Sequence, residues 1–350
     1  MPDSNGLTIL DDLPDAVIFG EILVRLPAKD VFRCRAVHKS WRCGTSSRNF
    51  LTDHHRRQPK LPVIYFFRSG ECDSASDFRR YVVCPNNAGI NIANRKLVDV
   101  LPPEEAERLV TIHAACDGLL IVSSAAHQGS FCVYNPATQQ RTQTPQLAQY
   151  SSEIRIAGFY RHHTSREYRV LYWNHLLDVY CILALGSEEP PRCIGYPLVL
   201  SFSFREVLLK DRLAISLAPV LHRDNLHWYD SGIVVFCTTT ETFRRMRGPA
   251  LESRTPMACL LEMEGMLAMC TNAEGLVINI WVMQGYEAEI WESKYLINLM
   301  IAVPRWPLRS MRRLFKVAVV NERELLIQFP DVDLKLFDID GCVYTGKSFG

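Results

Sequence analysis

Residues 13–41 read LPDAVIFGEILVRLPAKDVFRCRAVHKSW, and the apolar spacing is helical. Ile18, Ile22 and Leu26 recur at four-residue steps, with Phe19 and Leu23 beside them. Pro14 suits a first helical position, where its missing N–H would have no intrahelical partner. Pro27 ends the helix, because its ring clashes with the preceding turn and it has no N–H to give. A second short helix is expected near Asp30, a residue that caps free N–H groups. It carries Val31 and Cys34, and a third helix includes Val37 and Trp41. The reading is three helices before residue 58. Five large apolar residues crowd the first of them into a wide arc. A unit of about 45 residues is too small to bury all of it. The arc either packs on the downstream chain or presents a groove-filling surface to another protein. Periodicity alone weighs these equally.

Working outward, Gln58-Pro59-Lys60-Leu61-Pro62 marks a linker. Beyond it the apolar period falls to two, and short strands alternate with turns. The clear strands are Val63–Phe67, Gly118–Ser123, Phe131–Tyr134, Arg155–Phe159, Tyr168–Trp173, Val179–Leu183, Leu226–Tyr229, Ile233–Cys237, Leu276–Val282 and Leu325–Phe329. Only Pro102–Leu109 reads as a helix there. Turns are signalled at Asn135-Pro136, Asp224-Asn225 and Glu264-Gly265. Weak repetition links Phe131–Thr138, Ile233–Thr240 and, more loosely, Leu334–Asp340: an apolar strand that hands over to a turn. The fold class expected is multidomain α plus all-β. At about 40–50 residues per four-stranded blade, the downstream chain allows six or seven blades of a closed β-propeller. A β-sandwich is the alternative. The division is a disordered tail over 1–12, a helical domain over 13–57, a linker over 58–62 and the β domain over 63–350.

Composition excludes several function classes. The 39 basic and 38 acidic residues leave a net charge of +1, so bulk nucleic-acid binding is not expected. No apolar run approaches the roughly 18 residues that span a bilayer. The first twelve residues lack the charged-then-apolar order of a signal peptide, and no Asn-x-Ser/Thr sequon occurs, so a cytoplasmic or nuclear location is expected. The 12 cysteines include no Cys-x-x-Cys pair, which argues against structural zinc and for buried small hydrophobes.

Catalytic motifs are no more persuasive. Gly341-Cys-Val-Tyr-Thr-Gly346-Lys347-Ser348 matches the phosphate-loop pattern letter for letter, but only Phe349 and Gly350 follow. The loop works through the helix after it, so no nucleotide binding is expected and Lys347→Ala should change nothing. His54-His55 and His162-His163 read as solvated loop pairs. His222, His227 and Asp224 flank a turn and offer a weak metal site. Trp173, Trp228, Trp281 and Trp291 fit the space between sheets better than an exposed sugar-binding face. Arg56-Arg57, Arg244-Arg245 and Arg312-Arg313 are solvated basic pairs. No cofactor is expected.

The N-terminal string resembles the F-box. Leu13-Pro14, then Glu21 to Lys29, then Arg35 to Trp41 meet the family's three blocks, and Phe50 suits its late aromatic position. The departure is Cys43-Gly44-Thr45, where an apolar pair is commoner. The remainder is similar to the F-box-associated domain of plant F-box proteins, itself read as a β-propeller. Its phrases are echoed by Cys116–Leu120, Tyr134–Thr138, Gly158-Phe159 with Glu167–Leu171, Leu226–Trp228, Val235-Phe236 with Glu241–Arg244, and Ile280-Trp281 with Trp291. Asp224-Asn225 stands where Asn-Gly is usual.

The resemblance implies an interaction surface on the first domain. F-box proteins dock a Skp-type adaptor, which joins them to a cullin and a RING protein, while the C-terminal domain holds an unidentified substrate protein. The chain would be a non-catalytic, substrate-recognition subunit of an SCF-type ubiquitin ligase. Its contribution is proximity, which raises the effective concentration of a substrate lysine near the charged enzyme. Leu13, Pro14, Ile22, Leu23, Leu26, Pro27, Val31, Val37 and Trp41 are the expected adaptor contacts or their immediate support. Two rival readings are a cullin-independent F-box scaffold or regulator, and a propeller sugar-binding protein with a fused interaction module.

Overall fold

The structure is a computed structural model, and it describes residues 13–58, 63–67, 78–83, 97–99, 110–124, 130–136, 138–147, 153–195, 197, 219–229, 232–250, 258–272, 277–298, 316–321, 324–328 and 334–339. The chain divides into two compact units, taken in turn.

The first unit is helical. Helix α1, Asp15–Val17, passes into a π-helical segment, Ile18–Ile22, and a 3-10 turn, Leu23–Arg25. Helices α2, Ala28–Val37, α3, Lys39–Thr45, and α4, Arg48–Arg57, follow. Pro14 is the extended N-cap rather than the first helical residue expected, and its carbonyl accepts the N–H groups of Val17 and Ile18. The expected four-residue arc is not kept. The Leu23 N–H donates to the Ile18 carbonyl five residues back, so the turn is wide. Ile18 and Leu23 therefore share the buried face, and Ile22 is left half-buried. Ile18, Leu23, Val24, Val31 and Phe50 form the core, with Leu13, Phe19, Leu26, Cys34 and Trp41 packed against it. Each such side chain buried contributes roughly 1.5–3 kcal/mol.

Four helices replace the three expected. Val37 ends α2, and His38, extended, caps α3: its Nδ1 accepts the Ser40 N–H at 3.3 Å. Ser47 caps α4 by accepting the Phe50 N–H at 3.3 Å. His54 and His55 lie on α4 rather than in a loop, because the Ser47 cap carries the helix past them.

Among the described residues the second unit holds six separate antiparallel sheets whose strands follow chain order. The first holds β1, Val63–Phe67, β2, Phe78–Val83, and β3, Leu97–Asp99. The second holds β4, Val110–Cys116, β5, Leu119–Ser124, β6, Phe131–Asn135, and β7, Gln140–Gln143. The third holds β8, Ile154–Arg161, β9, Tyr168–Asn174, β10, Val179–Ala184, and β11, Arg192–Gly195. The fourth holds β12, Val220–His222, β13, Asn225–Tyr229, β14, Ile233–Cys237, and β15, Thr242–Met246. The fifth holds β16, Ala258–Met263, β17, Met266–Asn272, β18, Val277–Gly285, and β19, Ile290–Asn298. The sixth holds β20, Lys316–Asn321, β21, Glu324–Gln328, and β22, Leu334–Asp338. All ten strands read from the sequence are present with ends shifted by a few residues. The expected helix at Pro102–Leu109 and the phosphate-loop lookalike at Gly341–Ser348 lie outside the described residues.

Packing makes the unit propeller-like. Phe131 of the second sheet shares a core with Phe159 and Leu183 of the third. Trp173 and Tyr180 of the third share one with Trp228 and Phe236 of the fourth. Ile233 and Val235 of the fourth pack with Leu267 and Met269 of the fifth, and Ile280 of the fifth packs with Leu325 and Phe337 of the sixth. From the second sheet to the sixth, each sheet thus shares a core with the next, which a two-sheet sandwich does not do. The expected closed ring is not met: among the described residues no strand of the first sheet pairs with the last, and two sheets hold three strands.

Three hairpins turn on pairs of positive-φ residues, Asp117-Gly118, Arg223-Asp224 and Glu264-Gly265, as two-residue turns require. The middle one lies a residue earlier than the Asp224-Asn225 expected, because Asn225 already pairs with His222. Among the described residues no helix is long and apolar enough to cross a membrane.

Candidate functional site

The helical unit places the nine expected docking residues in three different environments. Leu23 and Val31 are buried in its core. Leu13, Leu26 and Trp41 pack against that core half-buried, and Ile22 is also half-buried. Pro14, Pro27 and Val37 are exposed, Val37 to 77% of its surface. Three exposed apolar residues escaped the sequence reading: Val17, Phe32 at 49% exposure, and Leu51. The signal for Phe32 was present, since it interrupts the charged face of α2 between Asp30 and Arg33. The Arg35 guanidinium lies 5.4 Å from the Phe32 ring centroid, so the ring carries a cation beside it rather than a covering side chain.

The loop between the first helical segment and α2 is held from behind. The Leu26 carbonyl accepts from His54 Nε2 at 2.8 Å and from Gln58 Nε2 at 3.1 Å. The Pro27 carbonyl accepts the N–H groups of Asp30 and Val31, opening α2. Leu26 and Pro27 are therefore presented on a fixed backbone.

The Cys43-Gly44-Thr45 departure has a physical explanation. Thr45 is fully buried, and its hydroxyl donates to the Trp41 carbonyl at 2.6 Å. Arg35 donates through Nε to the Thr45 hydroxyl at 2.9 Å and through Nη2 to its carbonyl at 2.7 Å. A polar clamp between α2 and α3 thus does what an apolar pair would do. Gly44 leaves room for the Phe19 ring, which stands 2.4 Å from where a Cβ would be.

In the sheet unit the polar side chains tie neighbouring sheets together. Glu241 accepts from Tyr160 Oη at 2.6 Å and Arg169 Nη1 at 2.7 Å, and it pairs with Arg192. Burial opposes the Glu241 charge, yet the Tyr160 and Arg169 hydrogen bonds and the two guanidiniums hold its carboxyl below the usual range. Tyr168 donates to Asp117 at 3.1 Å, and Trp228 Nε1 donates to the Ala157 carbonyl at 3.2 Å. Trp173 and Trp228 are buried between sheets, and Trp281 and Trp291 are half-buried. The weak metal site does not assemble. His227 has both ring nitrogens engaged, with the Val220 carbonyl and Tyr286 Oη, and Asp224 pairs with His163 at 3.3 Å. Among the described residues no group of three His, Cys, Asp or Glu side chains is arranged to hold a metal.

A helical unit with exposed apolar side chains, joined to a series of antiparallel sheets, is a combination found in known proteins. The model of the F-box domain matches residues 10–53, and that of the F-box associated beta propeller domain matches residues 99–335. The chain belongs to the F-box proteins with an F-box-associated domain. An F-box/LRR-repeat protein of Arabidopsis thaliana is 24% identical over 94% of this chain and 76% of its own length. An F-box protein of the same plant is 26% identical over 83% of this chain and 73% of its own length. Among solved structures, the β-propeller domain of a Cps50 (Swd1) protein has a TM-score of 0.40 at 11% identity, covering 83% of this chain and 90% of that one. The SapL1 lectin, in complex with alpha methyl fucoside, has a TM-score of 0.42 at 9% identity, covering 78% and 88%.

Proposed function

We propose that this F-box protein is the substrate-recognition subunit of an SCF-type ubiquitin ligase. Its F-box, residues 13–57, docks a Skp-type adaptor that brings a cullin and a RING protein. Its sheet domain, residues 63–350 beyond a linker at 58–62, holds a substrate protein on its propeller-like stack of sheets. The chain itself makes and breaks no bond and acts in the cytoplasm or nucleus. One observation carries the reading: the F-box unit fills its own core and still leaves Pro14, Pro27, Phe32 and Val37 exposed. Apolar side chains that no core needs are what an obligate partner covers. Leu13, Ile22, Leu23, Leu26, Val31 and Trp41 then serve as the support that holds this surface in shape.

The test is purification of the tagged full-length chain from plant cells, with and without a proteasome inhibitor. Adaptor, cullin and RING protein should co-purify, and ubiquitinated partners should accumulate only with the inhibitor. Recovery of adaptor without cullin would replace the ligase reading with an adaptor-bound scaffold. Absence of the adaptor would overturn the docking role.

A further inference from the structure

Two pairs of cysteines stand directly opposite each other on neighbouring strands: Cys181 with Cys193 on β10 and β11, and Cys259 with Cys270 on β16 and β17. Residues directly opposite in an antiparallel ladder have Cα atoms about 4.5–5.5 Å apart, inside the roughly 4.4–6.8 Å that a disulfide bridges. The first pair also has access. Cys181 is buried, while Cys193 is exposed on the edge strand of its sheet. The row continues one strand further in, because Tyr172 on β9 is the register partner of Cys181. Burial foremost, and then the neighbouring Cys193 side chain, pushes the Cys181 thiol up to about 12. The ladder slips by one residue beside the pair, between Tyr180 and Cys181, and irregularities of this kind re-aim side chains at strand edges.

We infer that Cys181 and Cys193 form a reversible oxidation site of the substrate domain, with a peroxide as the oxidant. Cys193, as thiolate, attacks one peroxide oxygen. The O–O bond breaks, the sulfur becomes a sulfenic acid, and the departing hydroxide takes the thiol proton as water. Cys181 then attacks the Cys193 sulfur. The S–O bond breaks, the S–S bond forms, and hydroxide leaves with the Cys181 proton as a second water. Two thiols lose two electrons and the peroxide gains them. The bond staples β11 to β10, and β11 carries the Arg192 that reaches Glu241 on the next sheet. Oxidation thus fixes one arm of an inter-sheet tie. The second pair lies deeper: Cys270 is fully buried, and Cys259 packs against the same core. It should react later.

The test treats the full-length chain with hydrogen peroxide, blocks remaining thiols with N-ethylmaleimide and maps tryptic peptides without reductant. Cleavage after Arg192 places the two cysteines in different peptides. The expected result is a linked pair about 2 Da lighter than the two free peptides, formed before any Cys259–Cys270 link and split by dithiothreitol. In Cys181→Ser, Cys193 should instead be trapped as a sulfenic acid and advance to sulfinic acid. Wild-type Cys193 that accumulates as sulfinic acid while Cys181 stays alkylatable would overturn the inference. So would a Cys259–Cys270 link that forms first.

Discussion

His227 is a buried base kept neutral. Burial foremost, then the nearby His222 and Arg244, lower its pKa to about 4, against donation to the Val220 carbonyl. The unfolded chain binds a proton there below about 6.5, and the folded chain does not until about 4. Stability is therefore complete above pH 6.5 and falls as the pH drops towards 4. One and a half pH steps from 6.5 to 5 cost about 2 kcal/mol at this residue. Denaturant melts at the two pH values should show that loss, and His227→Gln should show less of it. Gly44 tests the opposite unit. Gly44→Ala puts a Cβ into the Phe19 ring, and forced repacking of this kind costs about 1–3 kcal/mol. A melt of the F-box helices should move by that amount. Unchanged stability would mean that Phe19 does not occupy the space beside α3.

The strands were legible where they are buried on both faces. Ile233–Cys237 has four consecutive buried residues, and apolar runs of that kind are what a sequence displays. The outer strands were missed for the complementary reason. Gln140–Gln143 is exposed throughout, and Thr242–Met246 buries only Met246, so neither carries an apolar pattern. The Asp117-Gly118 and Glu264-Gly265 turns follow from glycine's tolerance of positive φ, but Arg223-Asp224 has no glycine to announce it. The π-helical turn was hidden because Ile18, Ile22 and Leu26 fit an ordinary helix as well as Ile18 and Leu23 fit a wide one. Among the expected docking residues, spacing alone did not separate the exposed Pro14 and Val37 from the buried Leu23 and Val31. Gly158 on β8 tests the stacking of sheets. A Cβ there would lie 2.5 Å from Leu226 Cδ1 of the fourth sheet. Gly158→Ala should cost about 1–3 kcal/mol and blunt the cooperativity of the sheet unit's melt, while leaving adaptor binding intact. A variant as stable as the wild type would contradict the close approach of these two sheets.

Two units with separate cores suit two separate tasks. A surface change on the F-box should abolish delivery without touching the sheet domain, because the F-box core of Ile18, Leu23, Val24, Val31 and Phe50 is its own. The substrate was not legible, since propeller ligands meet loop residues that follow no sequence pattern. The docking claim is the one on which the function rests, and adaptor affinity measures it. Calorimetric titration of a Skp-type adaptor into full-length wild type, into Leu13→Ala/Pro14→Ala and into Val37→Glu should show losses of tenfold or more in both variants, about 1.4 kcal/mol each. Leu13 is half-buried, so its variant also removes support; Val37 is exposed, so its variant changes only the surface. Circular dichroism should report wild-type structure for Val37→Glu and an intact sheet domain for both. Wild-type affinity in both folded variants would contradict the assignment of this surface to the adaptor.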